Sequence, residues 1–453
     1  MIPRSKSKLI AILLIHIATI LVLVDNFFPS KQTEISSRIQ HNLTNEVHPK
    51  HLQQNKYNII SLDDPVEKIT TELTTLSSVG YTCFQGDRNV KGANCLKLVE
   101  GYEPEIAKAK YMTKAELIHP PYDYVNMTRD CDNFKRVRGY VTESLSEEER
   151  SFPIAFSILM FKDVGQFERL LRSVYRPEHA FCIHVDSKST FEVKIAVKSV
   201  ANCFKNVFVS SKSIDVQWGK YSVLEPELIC MKQLWKHGHW KYWINLTGQE
   251  FPLKTNLQLT RILRAYNGAN DLQGTVKRRN TWRWSAAGPA PHNIRPIKGS
   301  VHIVASRPYV DYILHNQTAK DLLQWIQKTD YPDETYFATL NHNPQLGIPG
   351  TYKGEPETDN DIKPFLSRFK NWGEWPCNGQ RVRGICVFGV GDLPLLVSRP
   401  ELFANKFYAD YQHLTLDCLE EWHYNRTRDE YLGKYHFDTS YYGTLGFVKN
   451  KVS

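Results

Sequence analysis

The fold is decided between residues 153 and 246. PIAFSILMF (153–161) is an apolar run of strand length. Phe167, Leu170, Leu171 and Val174 follow at i, i+3, i+4 and i+7, the spacing of an amphipathic helix. AFCIHVD (180–186) predicts a second strand, EVKIAVKSVAN (192–202) a helix and NVFVSS (206–211) a third strand. LEPELICMKQLWKHG (224–238) then predicts a helix and YWINL (242–246) a fourth strand. This alternation predicts an α/β fold with a mostly parallel central sheet flanked by helices. Such sheets bind ligands beyond the C-terminal ends of their strands. That draws attention to His184-Val-Asp186-Ser-Lys188, which leaves a strand at that edge.

Towards the C-terminus, GSVHIVASRPYVDYILHN (299–316) reads as a strand entering a helix. DLLQWIQKTDYPDETYFATL (321–340) reads as helix, turn, helix, with Pro332 in the first turn of the second helix and Asp330 as its cap. PCNGQRVRGICVFGVGDL (376–393) reads as a compact cysteine-bounded loop running into a strand.

Towards the N-terminus, residues 9–24 form an apolar run preceded by Arg4, Lys6 and Lys8. Such a segment predicts a signal anchor with its N-terminus in the cytoplasm. At about 24 Å of helix it suits a thin early-secretory membrane. No small-residue cleavage site follows, which disfavours a cleaved signal peptide. The predicted layout is a cytoplasmic tail (1–8), a transmembrane helix (9–24), a polar luminal stem (25–94) and a luminal globular domain (95–453).

The composition is that of a globular protein: 453 residues, 42% hydrophobic, 23% charged and a formal charge of +9. Without a basic helix, a zinc finger or an RNA-binding aromatic signature, that charge does not indicate a nucleic-acid partner. The nine cysteines contain no C-x-x-C pair, and a luminal location makes disulfides the default. Asn42, Asn126, Asn316 and Asn425 head glycosylation sequons; Asn245 heads another inside an apolar run, where burial would leave it unmodified.

Asp186 at a strand end suits a ribose or metal ligand, or simply a helix cap. Glu334 near a helix N-terminus is a candidate proton acceptor, or a first-turn glutamate supporting its helix. A D-x-D motif would suggest a metal that holds a nucleotide diphosphate. One such motif, Asp359-Asn-Asp361, lies in the polar run GEPETDNDIKP and reads as a solvated loop. The strand end instead offers Asp186-Ser-Lys188. A diphosphate there would need cations, and Arg381, Arg383 and Lys406 are available. A Cys377–Cys386 bridge would stiffen the loop bearing Arg383. Signatures of serine hydrolases, dinucleotide enzymes and zincins are missing.

The chain resembles the core 2 and I-branching β-1,6-N-acetylglucosaminyltransferase family. The likeness rests on SFPIAFSILM (151–160), FCIHVDSK (181–188), NCFKNVFVSSK (202–212), ICMKQL (229–234) and WKYWINLTGQEFPLKTN (240–256). It continues through YPDETYFATL (331–340), CNGQRVRGICVFGVGDL (377–393) and LFANKF (402–407).

The resemblance implies a Golgi type II enzyme whose luminal domain has a GT-A-like fold and works without a divalent metal or other cofactor. Glu334 would be the catalytic base. Asp186, with Lys188 beside it, would bind the UDP-sugar, and Arg383 and Lys406 would neutralise its diphosphate. Four disulfides are implied: Cys95–Cys418, Cys131–Cys203, Cys182–Cys230 and Cys377–Cys386. Cys83 is left over in the stem, where it is free or links a homodimer.

On the acceptor side Gln273 stands where the family has a glutamate, Arg283 fills the place of an acceptor arginine, and Trp372 is the acceptor-facing aromatic. Thr247 replaces a family cysteine, and Met160-Phe161 replaces Val-His near the uridine. The expected reaction moves N-acetylglucosamine from UDP-N-acetylglucosamine, with inversion, to the 6-hydroxyl of galactose or N-acetylgalactosamine on an O-glycan. The alternatives are a different donor sugar, xylose or glucuronate, and a glycan-binding protein on a catalytically dead fold.

Overall fold

A computed structural model describes residues 88–112, 119–359 and 363–453. The expected anchor, Asn42, Cys83 and most of the expected stem lie outside the described residues. No helix among the described residues is long and apolar enough to cross a membrane.

The expected alternation is present: β1 (Ile154–Met160), α1 (Val164–Val174), β2 (Ala180–Val185), α2 (Phe191–Asn202), β3 (Val207–Val209), α3 (Glu225–Leu234) and β4 (Tyr242–Thr247). Short strands β5 (Glu250–Pro252) and β6 (Asp271–Leu272) come next, then β7 (Ile303–Ser306). The main sheet has the order β3-β2-β1-β4-β7-β6. Strands β1 to β4 are mutually parallel, and β7 runs antiparallel to both β4 and β6. Strand order reverses between β1 and β4, so the crevice for a ligand opens at their C-terminal ends.

β1 is buried along almost its whole length, as expected of a strand covered on both faces. Phe167, Leu170, Leu171 and Val174 of α1 are fully buried against it. Each such side chain contributes roughly 1.5–3 kcal/mol of burial. Asp163 caps α1 by accepting from the Gln166 amide at 2.8 Å. Ser157, the polar interruption in β1, donates to Glu227 of α3 at 2.6 Å. Asn245 of β4 donates to the other oxygen of Glu227 at 3.1 Å and to the Val301 carbonyl at 2.8 Å. Asn245 is therefore spent inside the sheet, and its sequon is inaccessible. Burial raises the Glu227 carboxyl to about 8.

After β7 come α4 (Arg307–His315), α5 (Gln317–Ile326) and α6 (Tyr336–Asn341). The expected second helix starts later than its sequence suggests. Pro332–Glu334 form a separate 3-10 turn, entered through Tyr331 in the left-handed region at φ +54°. Asp330 caps nothing there; it pairs with Lys220 at 3.3 Å.

The expected loop at 376–393 is a hairpin, β9 (Gln380–Val382) with β10 (Ile385–Val387). A second, three-stranded sheet has the order β5-β11-β8, with β8 at Arg368–Phe369 and β11 at Phe403–Asn405. The long helix α7 (Leu414–Tyr431) follows.

Four disulfides join Cys95–Cys418, Cys131–Cys203, Cys182–Cys230 and Cys377–Cys386, the pairing that the resemblance implies. The packed unit begins before the expected boundary at residue 95. Both backbone groups of Arg88 bond to the side chain of Asn425 in α7, and the Arg88 guanidinium pairs with Glu420 at 2.9 Å. The Asn425 amide is thereby engaged within the fold, unlike that of the exposed Asn126. Asn316 uses its side-chain oxygen to cap α5.

Candidate active site

The C-terminal ends of β1, β2 and β4 meet around Met160. The amide of Asp186 donates to the Met160 carbonyl at 3.0 Å, and that of Gly248 donates to Leu159 at 2.8 Å. A Cβ at Gly248 would stand 3.3 Å from that of Met160, so glycine permits the close approach of the two strand ends. Asp186 is buried, and its carboxylate accepts from the Lys188 amide at 2.8 Å.

Lys188 was expected to bind the donor, but its ammonium is already surrounded. It lies 2.9 Å from Asp186, 2.5 Å from Asp215 and 2.8 Å from the Val216 carbonyl. Lys188 thus braces Asp186 and residues 215–216 against one another. His184 supports the same loop by accepting from the Ile214 amide at 2.9 Å; burial lowers the imidazole to about 4, so it stays neutral.

The phosphate candidates sit elsewhere. Arg383 and Gly384 are the two residues at the tip of the β9–β10 hairpin, with φ of +53° and +87°. A two-residue turn with both central residues at positive φ matches the twist of the strands. Gly384 takes that conformation freely, whereas Arg383 is a side-chain-bearing residue held in it. The Cys377–Cys386 bridge closes the hairpin. The Phe388 amide donates to the Lys406 carbonyl at 3.1 Å, and the Cys386 amide donates to Asn371 at 3.0 Å. The hairpin is thereby tied to the residues that follow β11 and β8. Arg383 is exposed and Lys406 half-buried, and neither forms an ion pair among the described residues. Trp372 packs beside Gly384, where an added Cβ would meet its ring at 3.7 Å. It therefore stands at the arginine hairpin, 55% exposed.

Glu334 closes the 3-10 turn Pro332–Glu334. Its carbonyl accepts from the Gly299 amide at 2.6 Å. A Cβ at Gly299 would fall 2.4 Å from the Gln273 carbonyl and 2.5 Å from Ala338, so only glycine fits between these segments. Gln273, the expected acceptor residue, is thus placed beside the turn that carries Glu334. Arg283 reaches the Glu334 carboxylate at 2.5 Å, and Lys298 stands at 3.8 Å. Arg283 was read from the sequence as acceptor-facing; here it is buried and its charge is spent on the candidate base.

Asp333, the neighbouring carboxyl, points inward and is raised to about 7 by burial and then by Glu334. Lys370 donates to Ser300 at 3.0 Å; burial lowers its ammonium to about 8 against the attraction of Glu334 and Glu250. Below it, Glu250 pairs with Arg368 at 2.7 Å and faces His302 at 3.2 Å, both deeply buried.

Lys298, Lys370 and the Glu250–Arg368 pair escaped the sequence reading. Each lies far along the chain from the residues it meets, and none belongs to a recognisable spacing. Among the described residues, Cys377, Cys386 and Asp392 bring three possible metal-ligating atoms together. The two sulfurs are bonded to each other, and Asp392 accepts from the amides of Gly389 and Asn378 at 2.8 and 2.9 Å. Among the described residues, Arg383 and Lys406 have no carboxylate partner, whereas the Glu334 carboxylate is held by Arg283 with Lys298 nearby.

The Core-2/I-Branching enzyme family model matches residues 154–397. The chain is 36% identical over 377 residues to the human beta-1,3-galactosyl-O-glycosyl-glycoprotein beta-1,6-N-acetylglucosaminyltransferase, covering 76% of this chain and 88% of the relative. The bovine protein of the same name is 36% identical over 361 residues, 72% of this chain and 84% of its own. The human beta-1,3-galactosyl-O-glycosyl-glycoprotein beta-1,6-N-acetylglucosaminyltransferase 3 is 35% identical over 327 residues, 66% and 74% of the two chains.

Proposed function

Because the chain belongs to the Core-2/I-Branching enzyme family, we propose that it transfers N-acetylglucosamine from UDP-N-acetylglucosamine in β-1,6 linkage to galactose or N-acetylgalactosamine of O-glycans. The observation that carries this reading is the match of the Core-2/I-Branching enzyme family model over residues 154–397, beside a Glu334 carboxylate held by Arg283 and an Arg383 and a Lys406 without ion pairs among the described residues. The mostly parallel sheet with its crevice at the strand ends supports a GT-A-like domain. Asp186 would hold the nucleoside, braced by Lys188. Arg383 and Lys406 would meet the diphosphate, arginine bidentately and lysine as a point charge.

Glu334 would accept the proton of the attacking hydroxyl as the new glycosidic bond forms at the anomeric carbon and the bond to UDP breaks. A single displacement of an α-linked donor leaves a β-linked product. The acceptor hydroxyl must come within hydrogen-bond reach of the carboxylate, so Arg283 shares or cedes one of its oxygens during the reaction.

We also place the enzyme in the Golgi membrane as a single-pass type II protein, on the strength of the basic residues before the apolar run at 9–24. No divalent metal is needed in this reading. The Asp186 carboxylate is committed to Lys188, and Arg383 and Lys406 supply the charge that a metal would. The test is transfer to a galactosyl-β-1,3-N-acetylgalactosamine glycoside, with UDP-N-acetylglucosamine, UDP-xylose and UDP-glucuronate compared. Product is expected from the first donor alone and should persist in excess EDTA. Loss of product in EDTA with rescue by manganese would overturn the metal-free reading. Preference for another donor would overturn the sugar assignment.

A further inference from the structure

Three aromatic rings stand together beside the base. Tyr331 opens the turn that carries Glu334, and two indoles meet its ring edge-on: Trp218 at 4.9 Å and 81°, Trp282 at 5.8 Å and 89°. The Arg283 guanidinium lies 4.2 Å from the centre of the same ring while reaching Glu334. Backbone contacts fasten the three segments to one another. Tyr331 donates to the Gly219 carbonyl at 2.9 Å, and Asp330 donates to the Arg283 carbonyl at 3.0 Å. Gly219, at φ +77°, lies flat against the tyrosine, where a Cβ would come within 3.3 Å of the ring.

Despite this bracing, Trp218 is 76% exposed and Trp282 56% exposed. Indoles are ordinarily among the more buried side chains. A fixed aromatic cluster left open to solvent marks a binding surface. Both indole planes stand nearly perpendicular to Tyr331, and although the Arg283 guanidinium lies 5.7 Å from the centre of the Trp282 ring, both indoles keep most of their surface open. An aromatic face carries the negative lobe of the ring quadrupole. It therefore suits the slightly positive C–H groups on the apolar face of a hexopyranose.

We propose that Trp218, Tyr331 and Trp282 form a stacking platform for a neutral sugar residue of the acceptor, one or two units beyond the residue that receives the transferred sugar. This rests on the glycosyltransferase reading above and adds to it a preference for extended acceptors. The contact of the platform with Arg283, and through it with Glu334, places it on the acceptor side of the base. Its occupant is a galactose or N-acetylglucosamine unit of a longer glycan.

The test uses the full-length chain and two probes, the disaccharide galactosyl-β-1,3-N-acetylgalactosamine and that disaccharide extended by an N-acetyllactosamine unit. Trp218→Ala and Trp282→Ala should each lower the ratio of kcat/KM on the extended acceptor to that on the disaccharide by roughly two- to tenfold, mainly through KM. Trp282→Phe should recover most of the loss, and Tyr122→Ala, an exposed aromatic outside the platform, should leave the ratio unchanged. An equal decline on both acceptors, or an unchanged ratio in both alanine variants, overturns the proposal. So does a loss of UDP affinity with acceptor selection intact, which would assign the ring faces to uracil.

Calorimetry with the extended acceptor in the presence of UDP, where no sugar can be transferred, separates this from failure of the catalytic reading. Weaker binding by the alanine variants supports the platform whether or not turnover is found. Binding equal to wild type, or no binding by wild type, overturns it.

Discussion

The hairpin that carries Arg383 and the turn that carries Glu334 are electrostatic opposites. On the hairpin side, Arg383 and Lys406 are accessible and without a carboxylate partner among the described residues. On the turn side, Glu334 is already clasped by Arg283 at 2.5 Å, with Lys298 at 3.8 Å. Cations with no carboxylate partner can meet an anion without first breaking an ion pair. A base that is already ion-paired must exchange a partner before it can take a proton. The hairpin side is therefore built for affinity and the turn side for chemistry, and substitutions on the two sides should separate accordingly.

The largest expected effect is on the turn side. Glu334→Gln keeps the size of the side chain and removes the proton acceptor. Turnover should fall by at least about two orders of magnitude, the range contributed by a positioned general base. UDP affinity by calorimetry should barely move. A folded, UDP-binding variant with near-normal turnover would break the comparison, because the base would then lie elsewhere.

On the hairpin side the split should reverse. Arg383→Ala removes a charge-assisted contact and should weaken UDP binding by about ten- to a hundredfold. The fractional loss in kcat at saturating donor should be smaller than that in affinity. Equal losses in both would mean that the arginine acts mainly in the transition state.

The smallest effect lies within the main sheet. Glu227 links Ser157 of β1 to Asn245 of β4, and Asn245 in turn accepts from the Ile303 amide at 2.8 Å, at the start of β7. In the fold Glu227 keeps its proton up to about pH 8, whereas its ordinary value is 4.5. The folded state thus holds a proton that the unfolded chain has lost, and stability declines as pH rises through that interval. Glu227→Gln, which cannot titrate, should flatten the fall of Tm between pH 5 and 8, by on the order of a few degrees. An unchanged slope would show that Glu227 is ionised in the fold.

Much of this architecture was legible in the sequence. The parallel strands are continuous apolar runs because both faces are covered, and α1 shows its buried stripe at helical spacing. Asp186 falls at a strand end, the general position of ligand sites in such sheets, and the wording of 331–340, 377–393 and 402–407 carried Glu334, Arg383 and Lys406 through resemblance. The hairpin was half read. Its bounding cysteines are visible, yet the loop proved to be two strands whose turn places Arg383 at positive φ.

What the sequence left unread is the partners of its charges. Two of the acceptors around Lys188, Asp215 and Val216, lie more than two dozen residues away. Arg283 meets Glu334, 51 positions further on.

By itself, the sequence determined the order of strands and helices, the strand-end crevice and the residue types that carry the chemistry. These follow from short-range periodicity, which repeats within a few residues. Only the tertiary structure decided which charges are neutralised and which are open, which asparagine is spent inside the sheet, and that Trp218, Trp282 and Tyr331 share one surface. Ion pairs, burial and ring contacts depend on distances between segments that the chain brings together only when it folds.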